Sequence, residues 1–299
     1  MIKKITREEV RSRWPVRPQE ANKGSFGRVL VVAGSRTMCG AGFLCAKSAL
    51  LSGAGLVFWA LPQSMQPAFA AALPEVITLP LPETDSGELA AEAFDEMQSF
   101  CADRKPSVAV IGPGMGKSPL FSRLLTELDL PQIVDADALN FMAAENGTVW
   151  LHNTPVIYTP HAGEMARLLK TDIARNENAR LSQVRELARQ TGGVCLLKGA
   201  GTLVCAEEEL PAVWQNTTGS PALAKAGSGD VLSGVIGGLW AQLGKTAGFD
   251  LQSAFSAALC GVYVHGLAGD LAAQARTDYG VLAGDTALQI PAAIKEILN

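Results

Sequence analysis

The segment Ala226-Gly227-Ser228-Gly229-Asp230-Val231-Leu232 holds the residues of this chain best suited to phosphate chemistry. Two glycines bracket a serine and an apolar helical run follows at once. Free N–H groups of a helix start therefore gather at Gly227, Ser228 and Gly229, where they and the helix dipole attract an anion. Preorganised donors of this kind can hold the charge that develops on a transferring phosphoryl group. Asp230 falls in the first turn, beside that anion, which is a poor place for a negative group that only binds phosphate. It suits a base that takes the proton of an attacking or departing hydroxyl. The plainer alternative is an N-terminal aspartate that only favours the dipole.

Further motifs place polar groups where predicted strands end. Leu196-Leu197-Lys198-Gly199-Ala200-Gly201-Thr202 reads as a strand that ends in a lysine and enters a glycine-rich turn. Lys198 could reach a nucleotide phosphate there, or could merely flank a hairpin turn. In Tyr158-Thr159-Pro160-His161-Ala162-Gly163-Glu164 a strand stops at a proline and His161 stands where a helix begins. Ligands bind at strand C-termini in open α/β sheets, so His161 is a candidate to face one. Ile111-Gly112-Pro113-Gly114-Met115-Gly116-Lys117-Ser118 is not a P-loop, because Ile111 stands where the first glycine must be. It also misses G-x-G-x-x-G by one residue, and reads as a strand-end loop whose backbone can approach a ligand. Asp135 and Asp137, two apart on an extended chain, would point the same way and suit Mg²⁺ or a ribose; Asp137 could equally cap a helix. Gly40, Ala41 and Gly42 would give close backbone access at the end of the first long strand.

These groups need a scaffold of strands and crossover helices. Apolar runs at 28–33, 55–61, 107–111, 132–134, 155–158 and 193–197 read as strands. They are continuous rather than alternating, the pattern of a parallel sheet covered on both faces. Helical patterns fall between them at 41–51, 89–100, 118–128, 162–169 and 178–190, and a capping box at Thr6–Glu9 predicts a short N-terminal helix. A hairpin is expected around 201–205 and 212–215, followed by long helices at 231–242, 251–274 and 283–298. The proline-rich stretch 79–87 reads as a surface loop, and there is no internal repeat. The fold class is therefore α/β, one domain over 1–299 with a central, mostly parallel sheet and helices on both faces.

Composition narrows the partners. Hydrophobic residues make up 48% and charged residues 18% of the 299, enough for a large core. With 25 Lys and Arg against 29 Asp and Glu the net charge is −4, and without a basic run neither nucleic acid nor a membrane surface is an expected partner. Six cysteines without a C-x-x-C pair, most among apolar neighbours, read as reduced core thiols. Three histidines and no His/Cys cluster argue against zinc, and no metal ligands are assigned. The start lacks the apolar core of a signal peptide, and no stretch approaches the roughly 18 unbroken apolar residues of a membrane span. The cytoplasm is the expected compartment.

Taken in order, Lys23-Gly24-Ser25-Phe26-Gly27, Gly53-Ala54-Gly55-Leu56-Val57, Pro74-Glu75-Val76, Gly112 to Gly116, Asp135-Ala136-Asp137-Ala138-Leu139, Thr159 to Glu164 and the Gly227 to Leu232 block resemble the ADP/ATP-dependent NAD(P)H-hydrate dehydratases, a branch of the ribokinase-like superfamily. The resemblance runs from about Asn22 to Gln242. It implies a three-layer ribokinase-like sandwich and a lyase of cofactor repair. Such an enzyme phosphorylates the hydroxyl of a hydrated NADH or NADPH from ADP, or ATP, and lets phosphate leave. Asp230 then matches the catalytic aspartate and a substrate contact. Gly229 matches an AMP contact together with Gly227 and Ser228; Lys198, Gly199, Ala200, Gly201 and Thr202 match the nucleotide-holding stretch; Ala41, Gly114 and His161 line the hydrate site. Mg²⁺, a homotetramer and a separate epimerase as functional partner are implied, since many members carry a fused epimerase domain and about 21 residues precede the matching region. Ser220 stands where the family pattern has asparagine. Two rival readings use the same motifs: a kinase of a small alcohol such as hydroxyethylthiazole, which would release a stable ester, and a non-catalytic nucleotide-binding regulator.

Overall fold

Successive side chains of a strand point to opposite faces of its sheet, and in this chain both faces are greasy, so helices must cover both. The computed structural model describes residues 1–145 and 153–299. Ten strands form one sheet: β1 (Ile2–Ile5), β2 (Arg28–Val32), β3 (Leu56–Pro62), β4 (Ile77–Leu81), β5 (Val108–Ile111), β6 (Gln132–Val134), β7 (Val156–Tyr158), β8 (Val194–Leu197), β9 (Leu203–Ala206) and β10 (Val213–Asn216). Their order is β1-β10-β9-β8-β7-β6-β5-β2-β3-β4, and β9 alone among them runs against its neighbours.

The helices are α1 (Arg7–Ser12), α2 (Cys39–Leu51), α3 (Gln66–Ala72), α4 (Ala93–Arg104), α5 (Phe121–Glu127), α6 (Asp137–Ala144), α7 (Ala162–Leu169), α8 (Glu177–Thr191), α9 (Ser228–Ala247), α10 (Leu251–Gly280) and α11 (Ala283–Leu298). Val29, Val31, Val110 and Leu196 point to the face under α2, α9 and α10, whereas Leu30, Val32, Ile111 and Leu197 pack beneath α4 to α8. This is the expected three-layer α/β sandwich.

Some elements differ from the sequence expectation. Residues 77–81, inside a stretch read as loop from Leu79 onward, form the edge strand β4, paired through Trp59 and Thr78. Pro80 is tolerated there because an edge strand can spare a ladder N–H. The first helix after it starts at Ala93 rather than Leu89, the next at Phe121 rather than Ser118, and α10 runs on to Gly280 through a kink at Thr277. Strand β1 and helices α3 and α6 carry too little pattern to stand out; β1 holds only through its parallel ladder to β10. Thr6 does cap α1, accepting from the Glu9 N–H. All six cysteines are free, and Cys45, Cys195, Cys205 and Cys260 are buried. One helix among the described residues, α10, is long and apolar enough to cross a bilayer, but it is largely buried inside the protein.

Helix α9 lies on α2 along a glycine seam. A Cβ at Gly234 would run into the Cys45 carbonyl, and one at Gly238 into Ser52 Oγ and the Ala49 carbonyl. This close approach sets the depth of the α9 N-terminus over the sheet. Gly234→Val should therefore lower stability by about 1–3 kcal/mol through overpacking, read as a fall in Tm; an unchanged Tm would refute this account of the seam.

Candidate active site

The C-terminal ends of the central strands and the N-termini of α2, α6, α7 and α9 meet in one corner of the molecule. At the end of β6, Asp135 is 1% exposed; its Oδ1 accepts from Lys198 Nζ at 2.7 Å and its Oδ2 from Ser233 Oγ at 2.7 Å. Lys198, just past β8, also lies 3.8 Å from Glu164 Oε2. Burial pulls the Lys198 ammonium downward, but Asp135 and Glu164 outweigh it and the net shift is upward. Lys198 is thus neither a surface lysine nor a freely extended one. It sits under the anion turn: a Cβ built on Gly229 would lie 3.4 Å from Nζ.

The turn itself forms as its residue types require. Gly227 takes φ +88°, a left-handed conformation that disfavours any side chain. Ser228 opens α9, and Asp230 stands in its first turn with Val231 N–H closing on the Gly227 carbonyl at 3.1 Å. Burial raises the Asp230 carboxyl, Asp135 and Asp137 push it further, Lys198 partly opposes them, and it stands at about 6. Glu164 is raised to about 7, by burial above all, with Lys198 opposing. Both carboxyls are poised to exchange protons near neutrality, which an exposed carboxylate is not.

The remaining candidates fall around this centre. Ala41 and Gly114 adjoin each other, since a Cβ on Gly114 would lie 2.7 Å from that of Ala41. Gly112, Gly114 and Gly116 all take positive φ, and Gly116 N–H donates to Asp137 Oδ2 at 2.8 Å. His161 neighbours Lys198 through an isolated bridge between β7's continuation and β8's. Its Nδ1 accepts from Gly163 N–H at 2.9 Å and Glu164 N–H at 3.3 Å, which places its proton on Nε2. The imidazole caps α7, and burial, with Lys198 and Arg167 nearby, lowers its pKa. Gly199, Ala200, Gly201 and Thr202 form the turn before β9, where Thr202 Oγ1 donates back to the Gly199 carbonyl at 3.0 Å.

Asp135 and Asp137 do not point alike, as an extended chain would have them. Ala136 takes φ +51°, so Asp135 turns inward to Lys198 while Asp137 starts α6 and meets the Gly116 loop. Sequence reading also missed Arg180, which holds the Ala200 and Gly201 carbonyls at 3.0 and 3.2 Å. It missed Ser233 and His265 as well: a serine and a histidine in apolar helices carry no signal until the helices are docked.

Sheet order, helix layers and the buried lysine–carboxylate cluster at the strand ends define a protein of the ribokinase-like class. A family model described as NAD(P)H-hydrate dehydratase matches residues 29–292, and the chain belongs to that family. It is 40% identical over 297 residues to the bifunctional NAD(P)H-hydrate repair enzyme of Moorella thermoacetica, covering 98% of this chain and 54% of that protein. The chain thus spans about half the length of the first curated relatives it matches. The ADP-dependent (S)-NAD(P)H-hydrate dehydratase of Xanthomonas campestris is 34% identical, with 97% of this chain and 95% of that one covered. A Bacillus subtilis ADP/ATP-dependent NAD(P)H-hydrate dehydratase, co-crystallised with ATP and Mg²⁺, superposes with a TM-score of 0.78 at 27% identity, over 99% of this chain and 98% of that one.

Asp230 binds its proton more tightly in the fold than in the unfolded chain, where an aspartate titrates at about 4. Its contribution to stability is therefore full below about pH 4 and is lost as pH rises through about 6. Asp230→Asn should melt above wild type at pH 8, with the gap closing toward pH 4. Equal melting temperatures at pH 8 would remove burial as the cause of the shift.

Proposed function

We propose that the chain catalyses the ADP-dependent dehydration of (S)-NAD(P)H hydrate back to NAD(P)H, releasing AMP and phosphate. The observation that carries this reading is Asp230 in the first turn of α9, its carboxyl raised to about 6, beside the Gly227–Gly229 turn with the Lys198 ammonium beneath. The full-length likeness to an ADP-dependent dehydratase supports the choice of substrate.

In this reading the hydrate lies between the Ala41–Gly114 contact and His161, with its ring hydroxyl toward Asp230. The hydroxyl oxygen attacks the terminal phosphorus of ADP, the bond to the departing AMP oxygen breaks, and Asp230 accepts the hydroxyl proton. The N–H groups of the Gly227–Gly229 turn and Lys198 offset the charge on the phosphoryl oxygens. The ring C–O bond of the resulting phosphate ester then breaks, phosphate leaves with the bonding pair, and a proton is lost from the adjacent ring carbon, so reduced nicotinamide and phosphate result. A Cβ at Gly227 would run into Leu44 and approach Ala283, so the turn holds its shape only with glycine there.

Among the described residues no set of three His, Cys, Asp or Glu side chains is arranged to enclose a metal ion. Mg²⁺ would neutralise charge on the nucleotide phosphates; no residue is assigned to it, because both Asp135 oxygens are engaged by Lys198 and Ser233 and Glu164 accepts from the His161 N–H.

Absorbance of the reduced-nicotinamide band, followed on NADHX or NADPHX with ADP and Mg²⁺, tests the reading directly. Recovery of the band should depend on nucleotide, and kcat/KM should fall on the acid side with an apparent pKa of about 6. Asp230→Asn should bind ADP and lose about 10²–10⁴-fold in kcat. No recovery with ADP or ATP, in a protein that binds either, would turn the assignment toward phosphorylation of a small alcohol.

A further inference from the structure

His265 lies on α10 with its ring inside the protein, 8% exposed, and its Nε2 is 3.2 Å from Ser228 Oγ. Ser228 is the residue between the two glycines of the anion turn, so a group on α10 touches that turn from behind. Helix α10 also grips the segment leading into the turn. Thr218 Oγ1 donates to the Tyr263 carbonyl at 2.8 Å, Asn216 Nδ2 to the Val262 carbonyl at 3.0 Å, and Gly219 N–H to Asp270 Oδ2 at 2.8 Å. The imidazole thus belongs to a rigid wall rather than to a mobile loop.

Burial lowers the His265 pKa to about 4; a hydrogen bond with the Ser228 backbone opposes this and the Lys198 charge adds to it. At neutral pH the ring carries one N–H and one lone pair. With the proton on Nε2, the ring donates to Ser228 Oγ and the serine O–H remains free to point outward. With Nε2 bare, the serine O–H is occupied by the ring and only oxygen lone pairs face the turn. An anion is attracted by the first arrangement and repelled by the second.

We propose that His265 is a positioning residue: it donates from Nε2 to Ser228 and so turns the Ser228 hydroxyl toward the nucleotide phosphate, adding one donor to the backbone N–H groups. The proposal rests on the nucleotide reading of the Gly227–Gly229 turn given above.

The test compares ADP binding by calorimetry and steady-state turnover in wild type, Ser228→Ala, His265→Phe, His265→Gln and the Ser228→Ala/His265→Phe double variant. His265→Phe should weaken ADP binding about tenfold, the size of one lost hydrogen bond to a charged group. It should raise the KM for ADP while leaving the KM for the hydrate unchanged. The glutamine variant, which keeps a donor, should regain most of the loss, and the double variant should be no weaker than Ser228→Ala alone. Wild-type ADP affinity in His265→Phe, multiplied losses in the double variant, or a glutamine variant as weak as phenylalanine would each overturn the proposal. Nitrogen-15 shifts of the wild-type ring need no folded variant: protonated Nε2 at pH 7.5 is expected, and a bare Nε2 overturns it. Should wild type bind no ADP, the nucleotide reading falls and this proposal with it; should it bind and His265→Phe match it, only the role of His265 falls.

Discussion

One buried ammonium organises the corner where the candidate site residues meet. Lys198 sits among Asp135 and Glu164, both almost wholly out of water, and under the first turn of α9. Buried carboxylates are costly without a partner, so the lysine is a condition for the strand ends of β6, β7 and β8 to close on one another. Asp135 then passes the constraint on, since its second oxygen takes the hydroxyl of Ser233 one turn along from Asp230. The position of Asp230 is in this way tied to the sheet through a lysine, a carboxylate and a serine.

The same cluster sets the acidity of Asp230. A surface aspartate would be ionised throughout the physiological range and a weak base. Burial and the nearby Asp135 raise Asp230 to about 6, and Lys198 keeps the rise moderate. For the role proposed for Asp230, a base that titrates close to the working pH combines ionisation with affinity for a proton. The fold supports this by holding a destabilised carboxyl in place, a cost the large apolar layers on both faces of the sheet can absorb. The glycine seam between α2 and α9 serves the same end, because it brings the anion turn down to the level of the strand ends and of Ala41.

Much of the architecture was legible along the chain. Continuous Val and Ile runs mark buried parallel strands whatever their order, and β2, β3, β5, β7 and β8 stand close to where those runs fall. Elements with little apolar content escape: β1 is a strand only because β10 lies beside it, and β4 needs Trp59 and its neighbours to make an edge of a proline-bearing segment. Helix α6 begins within the Asp135–Asn140 motif because Ala136 adopts a left-handed conformation that nothing in a two-residue spacing discloses.

By itself the sequence determined the residue types of the candidate site: a glycine–serine–glycine turn opening a helix, an aspartate straight after it, and a lysine at a strand end. These are local properties, fixed by backbone freedom and by the free N–H groups of a helix start. Tertiary structure alone decided what each of them faces. It paired Lys198 with Asp135 across 63 residues of chain and Ser228 with His265 across 37. It also made His161 a helix cap as well as a neighbour of that lysine. The reason is physical: ion pairs and buried hydrogen bonds act over a few ångströms in space, and a sequence records only which groups are available to make them.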